Sequence, residues 1–208
     1  MPQAGRHRVV SRRVWLLLRR GAFAIAAVCV LALCGAGAWA GYLQATGNIH
    51  EVAPGMVYRS NQLGPVRLAA LLHDQGIRTV INLRGGSPKD TWYREEADVV
   101  AAAGARLVDV PLLDSVEPGA AQLTQLLHAL RSSPTPILIH CKAGADRSGL
   151  AAALYQLVIA GKTPEVAAGQ LSFAYGHFPW LGSPSAAMDR AFWNYVRDPD
   201  AATGWAAS

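Results

Sequence analysis

An α/β domain with a mostly parallel central sheet, covered by helices on both faces, is the fold class this chain predicts. Three observations lead there. Short apolar, β-branched runs alternate with helical segments along residues 52–197, the pattern of parallel sheets with crossover helices. Glycines close several of the helical segments, at Gly76 and Gly104, where helices commonly stop. Ahead of this domain, Gly21 to Leu43 runs 23 residues without a charge. At 1.5 Å of rise per residue that is long enough for a hydrocarbon core of about 30 Å.

The elements follow in order. Met56 to Arg59 reads as an early strand, Val66 to Gln75 as a helix, and Thr79 to Leu83 as a strand leading into the loop Asn82-Leu83-Arg84-Gly85-Gly86. Thr91 to Ala103 is helical, Ala105 to Leu112 extended, and Gly119 to Arg131 helical with leucines at 123, 126, 127 and 130. Ile137 to His140 is short, apolar and bounded upstream by Ser-Pro-Thr-Pro, a buried strand. Helical segments at 148–160, 163–174 and 184–196 complete the domain, and residues 198–208 read as a frayed tail. No internal repeat or second domain is visible.

Six of the 19 basic residues (Arg6, Arg8, Arg12, Arg13, Arg19, Arg20) lie in the first 20 positions, which hold no acid. This basic tail, residues 1–20, is expected to stay cytoplasmic and send the domain outward, with 21–43 as a single-pass transmembrane helix and 44–51 as a linker. Ala38-Trp39-Ala40 before Gly41 offers a competing reading, a signal-peptidase site whose cleavage after Ala40 would release an exported soluble protein. Cys34 follows Leu-Ala-Leu, a poor lipoprotein box. Beyond residue 20, 13 basic residues face 14 acidic ones, so the net charge of +5 reflects the tail. With no basic stripe and no zinc spacing, a nucleic-acid partner is not expected. Cys141 is the one thiol outside the apolar segment, which leaves no disulfide to form within the domain, and a monomer is expected.

The segment ILIHCKAGADRSGL, Ile137 to Leu150, carries the chemistry. It sets Cys141 at the end of a strand, then a loop, then Arg147, then a helix. A loop at the C-terminal edge of an open α/β sheet is where such folds bind ligands. Its backbone N–H groups and those of the first helical turn form an anion nest, and Gly144 suits an unusual dihedral there. Cys141 would attack phosphorus, with helix N-terminus and nearby cations favouring its thiolate. Arg147 offers a planar fork for two phosphate oxygens. Ser148 could donate to the sulfur and assist its departure. His140 is expected to fix the loop and support the thiolate rather than act as a base. Alone, a strand-ending cysteine is most often an inert core residue and an isolated arginine a solvated one; the full H-C-x-x-G-x-x-R-S-G string is far more specific. It makes a phosphoryl-transfer hydrolase the leading expectation.

HCKAGADRSG resembles the signature loop of the cysteine-dependent protein tyrosine phosphatase superfamily, in its compact bacterial dual-specificity and lipid-phosphatase-like branch. GMVYRSNQL (Gly55 to Leu63) and TVINLRG (Thr79 to Gly85) resemble the opening of the bacterial members, and the similarity covers roughly Val52 to Tyr195. The resemblance implies a dual-specificity-phosphatase-like fold, no metal or other cofactor, and a phosphocysteine formed on Cys141. It implies Arg147 and the loop residues Lys142, Ala143, Gly144, Ala145 and Asp146 as phosphate holders. It also implies an aspartate on a separate upstream loop that protonates the leaving group. Asp114, in the turn-rich Asp-Ser-Val-Glu-Pro-Gly stretch, is favoured for that role. Asp109 lies in an alternating apolar run, Glu117 is a third candidate, and Asp146 within the signature loop stays open. Lys142 adds a cation at the rim, a pattern shared with phosphoinositide-cleaving members and with several protein phosphatases. Arg84 would contact substrate or brace the signature loop. Tyr58 and Arg59 are expected to serve packing and salt bridges, and the aromatic run Tyr175 to Trp180 core packing.

Substrates would be phosphorylated proteins, at tyrosine, serine or threonine, phosphoinositide-type lipids or small molecules. Two other C-x5-R chemistries, sulfur transfer and arsenate reduction, fit less well, because Ser148-Gly149 and the upstream acid candidates argue against both and resolving thiols are absent. A membrane-tethered phosphate-binding module with little turnover is the non-enzymatic alternative.

Overall fold

A computed structural model describes residues 12–204; Arg6 and Arg8 of the basic tail and residues 205–208 of the expected frayed end lie outside them. The chain divides into two units after Tyr42.

The first unit is carried by α1 (Arg12–Thr46). Among the described residues this is the one helix long and apolar enough to cross a membrane, by length and composition, and none of its apolar window is buried. It extends beyond the expected 21–43 because nothing in the flanking sequence breaks a helix: there is no proline, and the arginines are good helix formers.

The second unit begins at Leu43, earlier than the expected Val52. Leu43 is itself a core residue, and Asn48 is buried. The segment expected to be a linker thus belongs to the fold. It supplies β1 (His50–Ala53), an edge strand absent from the expected elements, paired antiparallel with β2 (Val57–Ser60). Four residues are too few for a clear alternation, which hid it.

β3 (Thr79–Asn82), β4 (Arg106–Asp109) and β5 (Ile137–His140) complete a five-stranded sheet of order β1-β2-β5-β3-β4, with β2, β5, β3 and β4 parallel. β5 sits at its centre and is buried along its whole length, which explains its unbroken apolar sequence. The period of two sorts its side chains. Ile137, Ile139 and Cys141 join one core, with α4 (Ala120–Ser132), α5 (Asp146–Val158) and α7 (Ala186–Arg197). Leu138 joins the other, with α2 (Pro65–Asp74) and α3 (Thr91–Ala102). The sheet is therefore mixed, with helices on both faces.

β4 is shorter than the expected 105–112 because Pro111 has no N–H to donate; Val110 and Leu112 still donate to Asn82 O and Leu83 O. The expected helix 163–174 splits into α6 (Pro164–Ala168) and a 3-10 turn at Phe173–Tyr175. In the expected tail, Asp198 caps α8 (Pro199–Thr203) by accepting from Ala201 N at 2.9 Å, and Thr124 Oγ1 of α4 donates to Thr203 O at 2.9 Å.

Candidate active site

Cys141 leaves the central strand at the C-terminal edge of the sheet and is 1% exposed. The signature loop runs from there to Asp146, where α5 begins. Its outer surface is hydrogen-bonded residue by residue. Lys142 O accepts from Gln62 N at 3.3 Å. Ala143 O accepts from Asn48 Nδ2 and from Gln44 Nε2, both at 3.1 Å. Gly144 O and Ala145 O both accept from the Arg59 guanidinium at 2.9 Å. With four successive carbonyls held outward, the peptide N–H groups face in, as an anion nest requires. One of them, Gly144 N, already points at Cys141 Sγ, 3.3 Å away.

Gly144 has φ +71, and a Cβ there would lie 2.6 Å from Asn61 N. Only glycine lets the loop turn left-handed while pressed against the end of β2.

Arg59 is the organiser. It is fully buried on β2, and its other terminal nitrogen donates to Gln170 O at 2.7 Å and to Gln170 Oε1 at 3.0 Å. Its guanidinium carbon lies 4.3 Å from the centre of the Tyr175 ring. Burial lowers its pKa to about 10, against the charges of Cys141, Tyr175 and Asp146, which hold it up. It is a cation at neutral pH, set behind the loop among carbonyl acceptors. Its hydrogen-bond partners are carbonyl and amide oxygens, in place of the salt bridge the sequence suggests. The usable signal was a charge inside a fully buried strand, which must find partners.

His140 precedes Cys141, so the strand pleat turns its ring to the opposite face, toward α3. There Nε2 lies 3.0 Å from Glu96 Oε1, with both side chains buried. Gln62 donates to the other Glu96 oxygen. Nothing in the sequence linked Glu96 to His140, since it lies 44 residues away on another element.

Arg147 is buried; its guanidinium donates to Leu112 O at 3.1 Å and lies 3.5 Å from Asp114 Oδ2. Arg147 Nε and Ser148 Oγ are buried with no hydrogen-bond partner among the described residues. An unpartnered buried polar atom costs about 1–3 kcal/mol, and these two belong to adjacent residues at the start of α5.

The carboxylates separate clearly. Asp114 has a side chain 60% exposed on the loop after β4 and reaches the arginine fork. Asp109 instead accepts from Asn82 Nδ2 at 2.9 Å and from Tyr93 OH. That bond to Asp109, with burial second, pushes the Tyr93 pKa up to about 12. Glu117 is taken up by Asn194 and by Arg190, at 3.5 Å from the latter. Asp146 faces His177 Nδ1 at 2.6 Å. Lys142 is exposed at the rim. Arg84 turns its guanidinium over Trp92, 3.9 Å from the ring centre, and its N–H donates to Asn82 Oδ1.

A buried cysteine and a buried arginine thus bracket one strand-to-helix loop at the edge of an α/β sheet. The Tyrosine phosphatase family matches residues 39–168. The chain belongs to that family. It is 30% identical over 127 residues to the dual specificity protein phosphatase TpbA of Pseudomonas aeruginosa (strain UCBPP-PA14), covering 60% of this chain and 53% of the relative. The chain thus spans about half the length of the curated relatives it matches. The crystal structure of P. aeruginosa TpbA matches with a TM-score of 0.52 at 24% identity, over 69% of this chain and 84% of that one. The core catalytic domain of the PP-IP phosphatase SIW14 from S. cerevisiae matches with a TM-score of 0.55 at 18% identity, over 77% and 94%. At these identities the structural matches show a shared fold.

Proposed function

We propose that the chain is a cysteine-dependent phosphomonoester hydrolase held at a membrane by α1. The observation that carries this reading is the loop whose carbonyls at 142–145 are all bonded outward around a buried cysteine, with Arg147 at its end.

A phosphate monoester enters with its non-bridging oxygens on the loop N–H groups and the Arg147 guanidinium, whose buried Nε thereby gains an acceptor. Cys141 Sγ attacks phosphorus; an S–P bond forms as the P–O bond to the leaving group breaks. Asp114 gives its proton to the departing oxygen. Water then attacks the phosphocysteine, Asp114 takes the water's proton, and the S–P bond breaks to return the thiolate and release phosphate. Ser148 Oγ, buried one residue from Arg147, is the donor to the leaving sulfur. Arg147 stabilises the charge on the transferring oxygens in both steps.

Phosphotyrosine, phosphoserine, phosphothreonine and phosphoinositide-type esters are the proposed substrates. The name of one relative supports the phosphoprotein part of that range, since TpbA is called a dual specificity protein phosphatase, and the exposed Lys142 adds a cation for further phosphate.

The topology proposed is single-pass, with the arginine-rich end cytoplasmic and the second unit outside. Cleavage after Ala40 gives the exported soluble form. Because the second unit starts at Leu43, the anchored and cleaved chains would both retain Leu43, Gln44 and Asn48, and so the whole cradle.

The test is phosphate release by the reduced full chain in detergent micelles, from aryl phosphate, phosphopeptides and phosphoinositides, with Cys141→Ser beside it. Release is expected from at least one class and from none in the variant. A folded chain that binds inorganic phosphate yet releases none from any substrate would instead be a phosphate-binding module.

A further inference from the structure

An aspartate beside the phosphate-binding arginine is an awkward neighbour for a dianion. Asp146 lies next to Arg147 in the first turn of α5. That position suits the helix dipole, but its charge repels phosphate. The structure shows what is done about it. His177 is completely buried, with Nδ1 2.6 Å from Asp146 Oδ1 and Nε2 2.7 Å from Asp189 Oδ2 of α7. A neutral imidazole has one N–H and one lone pair, so in the neutral form one ring nitrogen would set its lone pair against a carboxylate oxygen. The doubly protonated ring alone donates to both.

The backbone is arranged to bring the ring in. Gly176, just before His177, has φ +82, and a Cβ there would lie 3.2 Å from Leu43 and 3.8 Å from Ala145 of the signature loop. Tyr175 O accepts from Asn48 Nδ2 at 2.9 Å, the same amide that holds Ala143 O. His177 N donates to Ser172 O at 3.1 Å. The segment 172–177 is a strut between the signature loop and α7.

We propose that His177 is a positioning residue, an imidazolium clamp that ties Asp146 of the signature loop to Asp189 of α7 and cancels the loop's own carboxylate charge beside the bound phosphate. This rests on the phosphatase reading for its catalytic consequence, though the clamp itself does not. The charged groups acting on the ring are Asp146 from α5 and Asp189 from α7. Burial pushes its pKa down, the two carboxylate bonds push it up further, and it settles at about 9. Above that value the ring loses one proton, one carboxylate loses its donor, and the Asp146–His177–Asp189 group goes from a net charge of −1 to −2, with Arg59 behind the loop still acting on Asp146.

Three measurements on the full chain in detergent micelles test this. The ring of His177 is followed by NMR against pH; turnover of aryl phosphate and competitive inhibition by inorganic phosphate are followed over the same range. The wild-type ring should titrate near pH 9, with an alkaline fall in kcat/KM at the same position. Asp189→Asn, which keeps an acceptor and removes a charge, should move both toward lower pH by a unit or more. His177→Gln should weaken phosphate inhibition by about tenfold at pH 7, through KM more than kcat, and abolish that alkaline limb. Asp189→Asn keeps the test open if His177→Gln does not fold. A ring titrating at or below its ordinary value, or an alkaline limb unmoved by Asp189→Asn, overturns the clamp and leaves the phosphatase reading standing. Titration near pH 9 that Asp189→Asn shifts, with phosphate affinity following it, supports the clamp even where no substrate turns over.

Discussion

The two loops that meet at Arg147 are built in opposite ways. The signature loop is held from behind by Gln44, Asn48, Arg59 and the Gln62 amide, with a donor on every carbonyl from Lys142 to Ala145. The loop after β4 carries exposed Leu113, Asp114 and Val116, and reaches the site through Arg147's contacts with Leu112 O and Asp114. In the proposed mechanism the nucleophile's side is fixed before substrate arrives, and the acid's more exposed side can adjust over it. Pre-organised donors stabilise transferring charge without having to reorganise. A proton donor must instead follow leaving groups of different shape, and a lightly held loop permits that.

The sharpest way to break this contrast is Arg59→Met. It removes a buried cation and strips the donor from two signature-loop carbonyls and from Gln170 O. Stability should fall by about 3 kcal/mol or more in denaturant titration, with kcat/KM down by about 10³-fold in whatever remains folded. A variant of normal stability and activity would show that the loop holds its shape without that brace.

Asp114→Asn should act on chemistry alone. Turnover is expected to drop by about 10²-fold while stability stays within about 0.5 kcal/mol of the parent. The loss should grow as the leaving group becomes more basic, since a good phenolate needs less protonation. An equal loss for every leaving group would remove Asp114 from the acid role and return attention to Asp146.

His177 gives the contrast a pH signature. Its folded pKa, about 9, lies above the ordinary 6.5. The stabilisation it contributes is therefore complete below pH 6.5 and lost as pH rises through 9. Unfolding midpoints should decline across that window, and Asp189→Asn should flatten the decline. The smallest effects belong to Leu113→Ser and Val116→Ser, exposed side chains whose replacement should change stability by no more than about 0.5 kcal/mol. A large effect from either on activity would reveal that the acid loop uses them to close over substrate.

Much of this molecule was already present in local sequence. Strand β5 matches its expected bounds because a short apolar run before a polar loop has one reading at the centre of a parallel sheet. Cys141, Arg147 and Gly144 stand together because their chemistry is set by spacing along one loop. Asp114 could be separated from Asp109 by the turn residues around it, and the structure ties Asp109 to Asn82 and Tyr93. What tertiary structure alone decided are the partners that spacing cannot bring together. Glu96 meets His140 across 44 residues, Arg59 reaches Gly144 across 85, and Asp189 reaches Asp146 through His177, 12 and 31 residues away. A buried polar group must be satisfied by whatever the fold sets beside it. The sequence can mark Arg59 and His177 as polar residues in apolar surroundings, but which carbonyl or carboxylate answers each of them depends on how the strands order and the helices pack.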